Sequence, residues 1–388
     1  MHPISKILYN GIKKFKQKKL FIHEPDILKK DVKFLKNCIN TKNVSAAGNY
    51  CDKFENEIKK ITKSKFVILT NSGTSALHIS CILSGINNTH EVLIPAFTFV
   101  ASPNSVIYCN ATPHFIEIEK DYFGIDFVKL KKYMKKIATK KKKSWINKKT
   151  KKIIKAIMVV HPLGYPINYD ELKKFTNEFN LTVIEDAADA LGSYFKSKHT
   201  GTIGKFGVLS FNGNKIITTG AGGAILTQSK KLAILAKNLI QTSKLQHKFR
   251  FIHDQLGFNY RMSNLQAALG LAQIKRLKKI LNDKRKIFNF YQNKLKNNNL
   301  FELIQENKDR KFNYWFQTIL INKKYNKKVN KILNDMYKKK IFLRMGWDLM
   351  SSMKHLKKYP CMKINVAKDV QRRIIHLPSS SFLAKKIS

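Results

Sequence analysis

Residues 207–223 read GVLSFNGNKIITTGAGG, and this stretch sets the expectation for the rest of the chain. An apolar, β-branched run ends at Phe211, and Lys215 follows after three polar or small residues. We predict a buried strand that brings this turn to the carboxyl edge of a sheet. A lysine amine there becomes nucleophilic when its pocket is restricted and partly desolvated. Lys and Arg together number 74, so most lysines of this chain are expected to be solvated surface charges. The assignment of a chemical role to Lys215 therefore depends on the motifs that precede it in the sequence.

Short apolar runs alternate with helical patterns from residue 66 onward. The predicted strands are 66–70, 91–95, 114–118, 153–160, 181–186 and 222–226. Because each is almost wholly apolar, we predict an α/β fold with a mostly parallel central sheet covered by helices on both faces. Residues 1–262 would form a lead-in and a large domain, and residues 263–388 a long linking helical stretch and a smaller C-terminal α+β domain.

The strand ends carry the residue types of an anion site. Ser72, Gly73 and Thr74 follow the first strand and precede a helix, where backbone N–H groups and hydroxyls suit a phosphate, although Ser and Thr are also ordinary helix caps. Phe97 and Phe99 follow the second strand. A phenylalanine at this place either stacks on a flat heteroaromatic ring or packs in the core.

Asp186 ends another buried strand, and a carboxylate there needs a cationic partner or caps the next helix. A protonated pyridine nitrogen is such a partner, and Ser210 lies close enough in sequence to join the phosphate site. Together with Lys215, these residues predict pyridoxal 5′-phosphate, linked to the lysine as a Schiff base.

Composition argues against other classes of protein. The formal net charge is +49, yet the basic residues are mostly Lys and are spread over the whole chain, so we expect no specific nucleic-acid site. The lysine-dense segment 135–152 is interpreted as a solvated loop. Five scattered cysteines without a CxxC pair predict a reducing compartment and no zinc site. With no signal peptide and no membrane insertion predicted, we expect a cytoplasmic protein.

Five sequence motifs follow one another along the chain: SGTSAL, IPAFTFVAS, VIEDAADALGS, LSFNGNKIITTGAGG and GFNYRMSNLQAALG. In this order they resemble the DegT/DnrJ/StrS family of nucleotide-sugar aminotransferases, from about residue 25 to the C-terminus. The resemblance implies fold type I of pyridoxal-phosphate enzymes, as in aspartate aminotransferase. Two alternative functions share this fold. A dehydratase would have His in place of Lys215, and a catalytically inactive regulatory protein would have lost Lys215 or Asp186. Both residues are present, which argues against both alternatives.

The resemblance also implies roles for individual residues. Lys215 would be the cofactor-linking lysine and proton carrier, Asp186 the partner of the pyridine nitrogen, and Phe99 the stacking ring. The phosphate contacts fall on Ser72, Gly73, Thr74 and Ser210. Asn259 would reach the phosphate in the neighbouring subunit, which implies a homodimer with shared sites. Asp189 stands where the family usually has Gln or Glu near the ring hydroxyl, so that contact is expected to be water-mediated or lost.

The substrate is expected to be a nucleotide-linked 4-keto-6-deoxy sugar, with L-glutamate as amino donor. FNGNK resembles the enzymes that aminate carbon 4 of such sugars. The segment 145–172 and the late segment RRIIHLPSS are most similar to the legionaminic-acid and bacillosamine pathway members, which implies a UDP-4-keto-6-deoxy-N-acetylhexosamine. GDP-perosamine synthases share FNGNK and are the alternative. Arg261 and Arg344 are candidate partners of the substrate anions, and His161 is either a substrate contact or structural.

Overall fold

The computed structural model describes residues 1–46, 48–296 and 298–387. The α-helices are α1 Pro3–Ile12, α2 Val32–Asn40, α3 Asn49–Thr62, α4 Gly73–Leu83, α5 Ala101–Ile107, α6 Phe127–Ile137, α7 Tyr169–Phe179, α8 Lys230–Ile240, α9 Asn264–Ile274, α10 Leu277–Leu295, α11 Val329–Lys338 and α12 Asn365–Arg373. The strands are β1 Leu20–Phe21, β2 Phe66–Thr70, β3 His90–Pro95, β4 Thr112–Ile116, β5 Ala138–Lys141, β6 Ser144–Asn147, β7 Ile153–Val160, β8 Thr182–Asp186, β9 Tyr194–Phe195, β10 Lys198–His199, β11 Phe206–Ser210, β12 Gly223–Thr227, β13 Lys244–Leu245, β14 Ile252–His253, β15 Phe301–Leu303, β16 Arg310–Lys311, β17 Gln317–Ile321, β18 Ile341–Phe342, β19 Arg344–Met345 and β20 Ile374–Leu377.

The large central sheet has the strand order β2-β12-β11-β8-β7-β3-β4. Strand β12 runs antiparallel to both of its neighbours, and the other neighbouring strands along this path pair in parallel. The predicted mostly parallel sheet is therefore confirmed. Its parallel strands end at one edge, where the chain turns back into helices.

Both faces of this sheet are buried. On β3, Val92 and Ile94 face a core that includes residues of α4 and α8, whereas Leu93 faces a core built with α6 and α7. The alternation of side chains along a strand places successive apolar residues on opposite faces, so a wholly apolar strand requires helices on both sides.

The lysine-dense segment differs from the prediction of a loop. Strands β5 and β6 form an antiparallel hairpin, and β6 also pairs with the start of β7. Trp145 packs against Phe179 with ring centroids 4.9 Å apart, and Asn147 Nδ2 donates to the buried Glu91 carboxylate at 3.1 Å. The lysines of the hairpin are exposed. The segment therefore lacks the apolar pattern by which a strand is predicted from sequence.

The long helical stretch predicted after residue 262 is two helices. Helix α9 begins with a reciprocal capping box between Ser263 and Gln266 and ends at Ile274, and α10 starts at Leu277. Arg276, at the break, is buried and donates from Nη2 to the Asp31 carboxylate at 2.7 Å. This pair ties the break to the segment before α2.

The smaller C-terminal unit contains the four-stranded sheet β15-β17-β20-β19. The first residues of the chain pack against it, because Ile4 and Leu8 of α1 share a core with Ile287 of α10 and Ile332 of α11. Strand β1 also pairs in parallel with β18. The packing of this lead-in thus differs from the predicted grouping with the large domain, whereas a boundary at residue 262 stays a prediction. Within the described ranges no helix is both long and apolar enough to span a bilayer.

Candidate active site

A cavity of about 310 Å³ opens at the carboxyl edge of the central sheet. Its walls come from the segments that follow β2, β3, β8 and β11 and from the segment that precedes the antiparallel β12. The lining includes Ser72, Gly73, Thr74, Thr98, Phe99, Asp186, Ala188, Asp189, Ser210, Asn212, Asn214, Lys215, Ala221, Gly222, Trp315 and Trp347. The sheet topology therefore brings together residues that are more than 140 positions apart between Ser72 and Lys215.

Lys215 is held in this cavity by an ion pair. Its Nζ donates to Oδ1 of Asp189, and it lies 4.3 Å from the centroid of the Trp315 ring. The indole N–H of Trp315 donates to the backbone oxygen of Asn214 at 2.6 Å, which fixes the ring beside the lysine turn. The Lys215 side chain is 14% exposed, so its amine is accessible from the cavity but partly desolvated.

Asp186 is buried at the end of β8, and its carboxylate has neutral hydrogen-bond donors. Ser102 Oγ donates to Oδ2 at 2.6 Å, and the N–H of Ala188 donates to Oδ1 at 3.2 Å. Burial raises the pKa of Asp186 above its usual value, and the hydrogen bond from Ser102 acts against that rise. A cationic group bound in the cavity would relieve this desolvation.

The start of α4 forms an anion cradle. Ser72 is the N-cap residue, and its hydroxyl accepts the Ser75 N–H at 3.0 Å. A Cβ on Gly73 would lie 3.0 Å from Ser210 Cβ, so glycine lets these two cavity segments approach each other. Backbone N–H groups at this helix N-terminus, with the hydroxyls beside them, suit a phosphate.

Of the two candidate stacking rings, Phe99 lines the cavity and Phe97 does not. Phe99 is 55% exposed, whereas Phe97 is fully buried and packs against Trp347 with ring centroids 5.4 Å apart. The structure therefore leaves Phe99 available for a flat ligand and assigns Phe97 to the core.

The model of the DegT/DnrJ/EryC1/StrS aminotransferase family matches residues 25–387. The chain belongs to this family. A GDP-perosamine synthase of Escherichia coli O157:H7 is 31% identical over 366 residues, which is 94% of each chain. The UDP-4-amino-4,6-dideoxy-N-acetyl-beta-L-altrosamine transaminase of Campylobacter jejuni serotype O:23/36 is 32% identical over 264 residues, 68% of this chain and 66% of that protein.

The solved structure of Helicobacter pylori PseC, an aminotransferase involved in the biosynthesis of pseudoaminic acid, has a similar fold. The two structures share a TM-score of 0.84 at 23% identity and cover 95% of this chain and 98% of that one. Together with the family match, this confirms fold type I and the prediction of a pyridoxal-phosphate-dependent aminotransferase.

The cavity residues of this family member fit the cofactor. Asp186 is a buried carboxylate whose two hydrogen bonds come from neutral groups, as a site for a protonated pyridine nitrogen requires. Lys215 offers an amine to the same cavity, and the α4 N-terminus offers donors to a phosphate. The cavity thus has a distinct partner for each chemically different end of pyridoxal phosphate.

Asp189 has a partner that sequence did not indicate. The expectation concerned its reach to the cofactor ring hydroxyl, and in the structure its carboxylate holds the ammonium of Lys215. The N–H of Leu163 also donates to Asp189 Oδ2 at 3.4 Å. The contact with the ring hydroxyl stays a prediction, and the ion pair is an additional contact of Asp189 in this structure.

The structure does not bring His161 to the cavity. Its ring is fully buried, its Nε2 lies 3.0 Å from Glu185 Oε2, and its Nδ1 accepts the N–H of Ile167 at 3.3 Å. Glu185 also accepts the Tyr169 hydroxyl at 2.6 Å. Of the two alternatives that sequence left open, this geometry supports the structural one.

The remaining predicted residues lie outside the cofactor cavity. Asn259 is exposed, and its backbone oxygen accepts the side-chain amide of Asn71 at 3.3 Å. Arg261 lines a separate cavity with Lys244 and Lys248. Arg344 lines a third cavity, which shares Asn214 with the cofactor cavity.

Ser102, which contacts Asp186, and the lining residues Trp315 and Trp347 are among those that had no assigned role in the sequence analysis. Ser102 lies within the quoted segment IPAFTFVAS, so the family motif contains it, but nothing in the pattern pairs it with Asp186. Trp315 and Trp347 come from the C-terminal part of the chain, and the packing of that unit against the large sheet brings them to the cavity.

Proposed function

We propose that the protein transfers the amino group of L-glutamate to the C4 ketone of a GDP-linked 4-keto-6-deoxy sugar. The observation that carries the reaction type is the placement of Lys215 and Asp186 on one cavity at the sheet edge. The similarity to a GDP-perosamine synthase over 94% of both chains supports the GDP-linked substrate. From the sequence, the UDP-linked N-acetylhexosamine was the first expectation and the GDP-linked sugar the alternative. This similarity favours the alternative.

The chain's own residues have distinct roles in this reaction. When bound, pyridoxal phosphate supplies an aldehyde that condenses with amines and a protonated ring that draws electrons from the adjacent carbon. Lys215 Nζ would accept the proton from the α-carbon of glutamate and, in the second half-reaction, deliver a proton to C4 of the sugar. Asp186 would keep the ring nitrogen protonated, with Ser102 favouring the ionised carboxylate.

Other residues would bind and orient the cofactor. Ser72, Gly73, Thr74 and Ser210, which line the cavity, would hold the phosphate, and Phe99 would stack on the ring. We infer a homodimer in which the partner subunit's Asn259 completes the phosphate site. This is supported by the exposure of Asn259 and by its absence from the cavity lining within the described chain.

The purified enzyme, loaded with pyridoxal phosphate, is to be incubated with glutamate and a panel of GDP-, UDP- and dTDP-linked 4-keto and 3-keto sugars, with products identified by mass spectrometry. We expect conversion of the GDP-linked 4-keto-6-deoxy sugar and formation of 2-oxoglutarate. Preferred conversion of the UDP-linked N-acetyl sugar would replace our substrate by the alternative that the Campylobacter relative represents. Conversion of 3-keto sugars alone would refute the carbon-4 assignment.

A further inference from the structure

A second cavity, of about 650 Å³, adjoins the cofactor cavity. We call it the side cavity, and its lining includes Phe21, Glu24, Asn214, Tyr337, Phe342 and Arg344. Asn214 lines both cavities, and Trp315 of the cofactor cavity precedes Phe316 of the side cavity in the chain. A ligand whose reacting carbon lies beside Lys215 can therefore extend past Asn214 into the side cavity.

The side cavity presents flat aromatic surface. Phe21 and Phe342 stack with ring centroids 4.9 Å apart and an interplanar angle of 12°, and Tyr337 contacts Phe342 edge-on at 5.3 Å. Phe21 and Tyr337 nevertheless remain 42% and 65% exposed. Aromatic faces that stay in contact with water are favourable stacking surfaces for a nucleobase.

Two charged groups in the side cavity lack partners in the described part of the chain. Glu24 forms a hydrogen bond through its backbone N–H, which donates to Ser380 Oγ at 2.8 Å, while its carboxylate has no hydrogen bond or ion pair among the described residues. Burial raises the pKa of this carboxyl group, and no neighbouring cation offsets the rise. The guanidinium of Arg344 is likewise unpaired within these residues.

His23 adds a polar atom to the same wall. Its Nδ1 is buried and has no hydrogen-bond partner among the described residues. Burial lowers the pKa of His23 well below its usual value, and the nearby cations Lys284 and Lys215 lower it further, so the ring is neutral at neutral pH. A neutral imidazole can exchange a hydrogen bond with a hydroxyl group without adding charge.

We propose that the side cavity binds the guanosine diphosphate portion of the sugar nucleotide, with Glu24 as the residue that selects guanine. The inference rests on the proposed function, because the reacting sugar must lie at Lys215. The Glu24 carboxylate accepts the N1–H and the N2 amino group of guanine side by side, and Arg344 binds the diphosphate. The base stacks on the exposed face of Phe21, the face that does not contact Phe342.

The chemistry of the bases explains why a carboxylate selects guanine. Guanine presents two adjacent donors on one edge, which match the two oxygens of a carboxylate. Uracil presents one donor between two carbonyl acceptors, so a carboxylate that accepts this donor also meets a repelling oxygen. A site whose partly buried acceptor is left unpaired by the wrong ligand discriminates between ligands, and we expect GDP to bind at least about 10-fold more tightly than UDP.

Isothermal titration of the cofactor-loaded enzyme with GDP, IDP and UDP tests this assignment. IDP lacks the N2 amino group, so the wild-type protein should bind it about 10-fold more weakly than GDP. Glu24→Gln should abolish the preference for GDP, and Arg344→Gln should weaken GDP and UDP binding by the same factor. Glu302→Gln, at an exposed glutamate on β15, is the matched control and should change neither.

The wild-type comparison of GDP with IDP needs no variant, so it decides the question even if Glu24→Gln fails to fold. Equal affinity for GDP and IDP, or an unchanged preference for GDP over UDP in a folded Glu24→Gln variant, overturns the guanine assignment. Failure of the proposed function is a separate result, because it appears in the product assay as absence of turnover of GDP-linked sugars. An enzyme that converts those sugars but binds GDP independently of Glu24 refutes the guanine assignment alone.

Discussion

Lys215 and Asp189 form an ion pair in which the lysine ammonium also lies over the face of Trp315, 4.3 Å from the ring centroid. The pair occupies the position where the proposed reaction needs a mobile amine. The partly exposed lysine is therefore aimed into the cavity before any ligand binds. This relationship makes the roles of the two residues separable by substitution.

Lys215→Ala should lower turnover by at least about 100-fold and abolish the absorption band of the lysine-linked cofactor, because no other lysine is among the described residues that line the cavity. Asp189→Asn should retain the linked cofactor but lower kcat about 10-fold, since the amine loses a charged hydrogen-bond partner. Absorption spectra and steady-state kinetics measure both effects. Asp170→Asn is the control for Asp189→Asn, because Asp170 pairs with Lys196 at 2.7 Å on the surface, where such a pair contributes little. An active Lys215→Ala enzyme would refute the assignment.

Asp186→Asn should stabilise the cofactor-free protein at pH 7 while it removes activity. Burial raises the folded-state pKa of Asp186 above the usual 3.8, so the folded state binds its proton more tightly than the unfolded state does. This group therefore destabilises the fold as the pH rises through the raised pKa, and the destabilisation is complete well above it. The gain in thermal midpoint for Asp186→Asn should shrink on acidification towards pH 4.

Addition of pyridoxal phosphate should reverse the order of stability, because the protonated ring pairs with the wild-type carboxylate. Differential scanning fluorimetry with and without the cofactor checks both parts. A cofactor-free Asp186→Asn protein less stable than wild type at pH 7 would show that the carboxylate is not destabilising where it lies.

His161 and Tyr169 should prove structural. Tyr169→Phe removes the 2.6 Å hydrogen bond to the buried Glu185 carboxylate, and it should cost about 1.5–3 kcal/mol of unfolding free energy. His161→Gln should also destabilise, and both variants should keep the wild-type KM for glutamate and for the sugar nucleotide. Urea unfolding and steady-state kinetics distinguish the alternatives. A raised KM without loss of stability in His161→Gln would restore His161 as a substrate contact.

The proposed sharing of active sites between subunits predicts complementation between two impaired variants. Lys215→Ala lacks the amine, and Asn259→Ala should lose about 10-fold in activity if it removes a hydrogen bond to a charged phosphate. A mixed dimer contains one site with a wild-type Lys215 and the partner subunit's wild-type Asn259. Activity of the unfolded and co-refolded mixture should therefore exceed the mean of the two variants. A mixture that never exceeds this mean would contradict the proposed contribution of the partner.

Much of the central sheet could be predicted from the sequence, because strands buried on both faces must be continuously apolar. Strands β2, β7 and β8 lie within one residue of their predicted bounds. The hairpin of β5 and β6 was not predicted, because its lysines face solvent and give no apolar pattern. Trp145 and Asn147 anchor the hairpin by contacting Phe179 and Glu91, which are distant in sequence. Local periodicity carries no information about such partners.

The sequence by itself determined the family, the mostly parallel sheet, and the residues that follow its strands, including Lys215, Asp186 and the Ser72 turn. These are local or motif-based properties, so they are visible without coordinates. Only the tertiary structure decided that Ser102 supports Asp186, that Asp189 pairs with Lys215, that His161 is buried against Glu185, and that the start of the chain packs on the C-terminal unit. Each depends on contacts between distant segments, and these are fixed by packing of the whole chain, which no single stretch of sequence encodes.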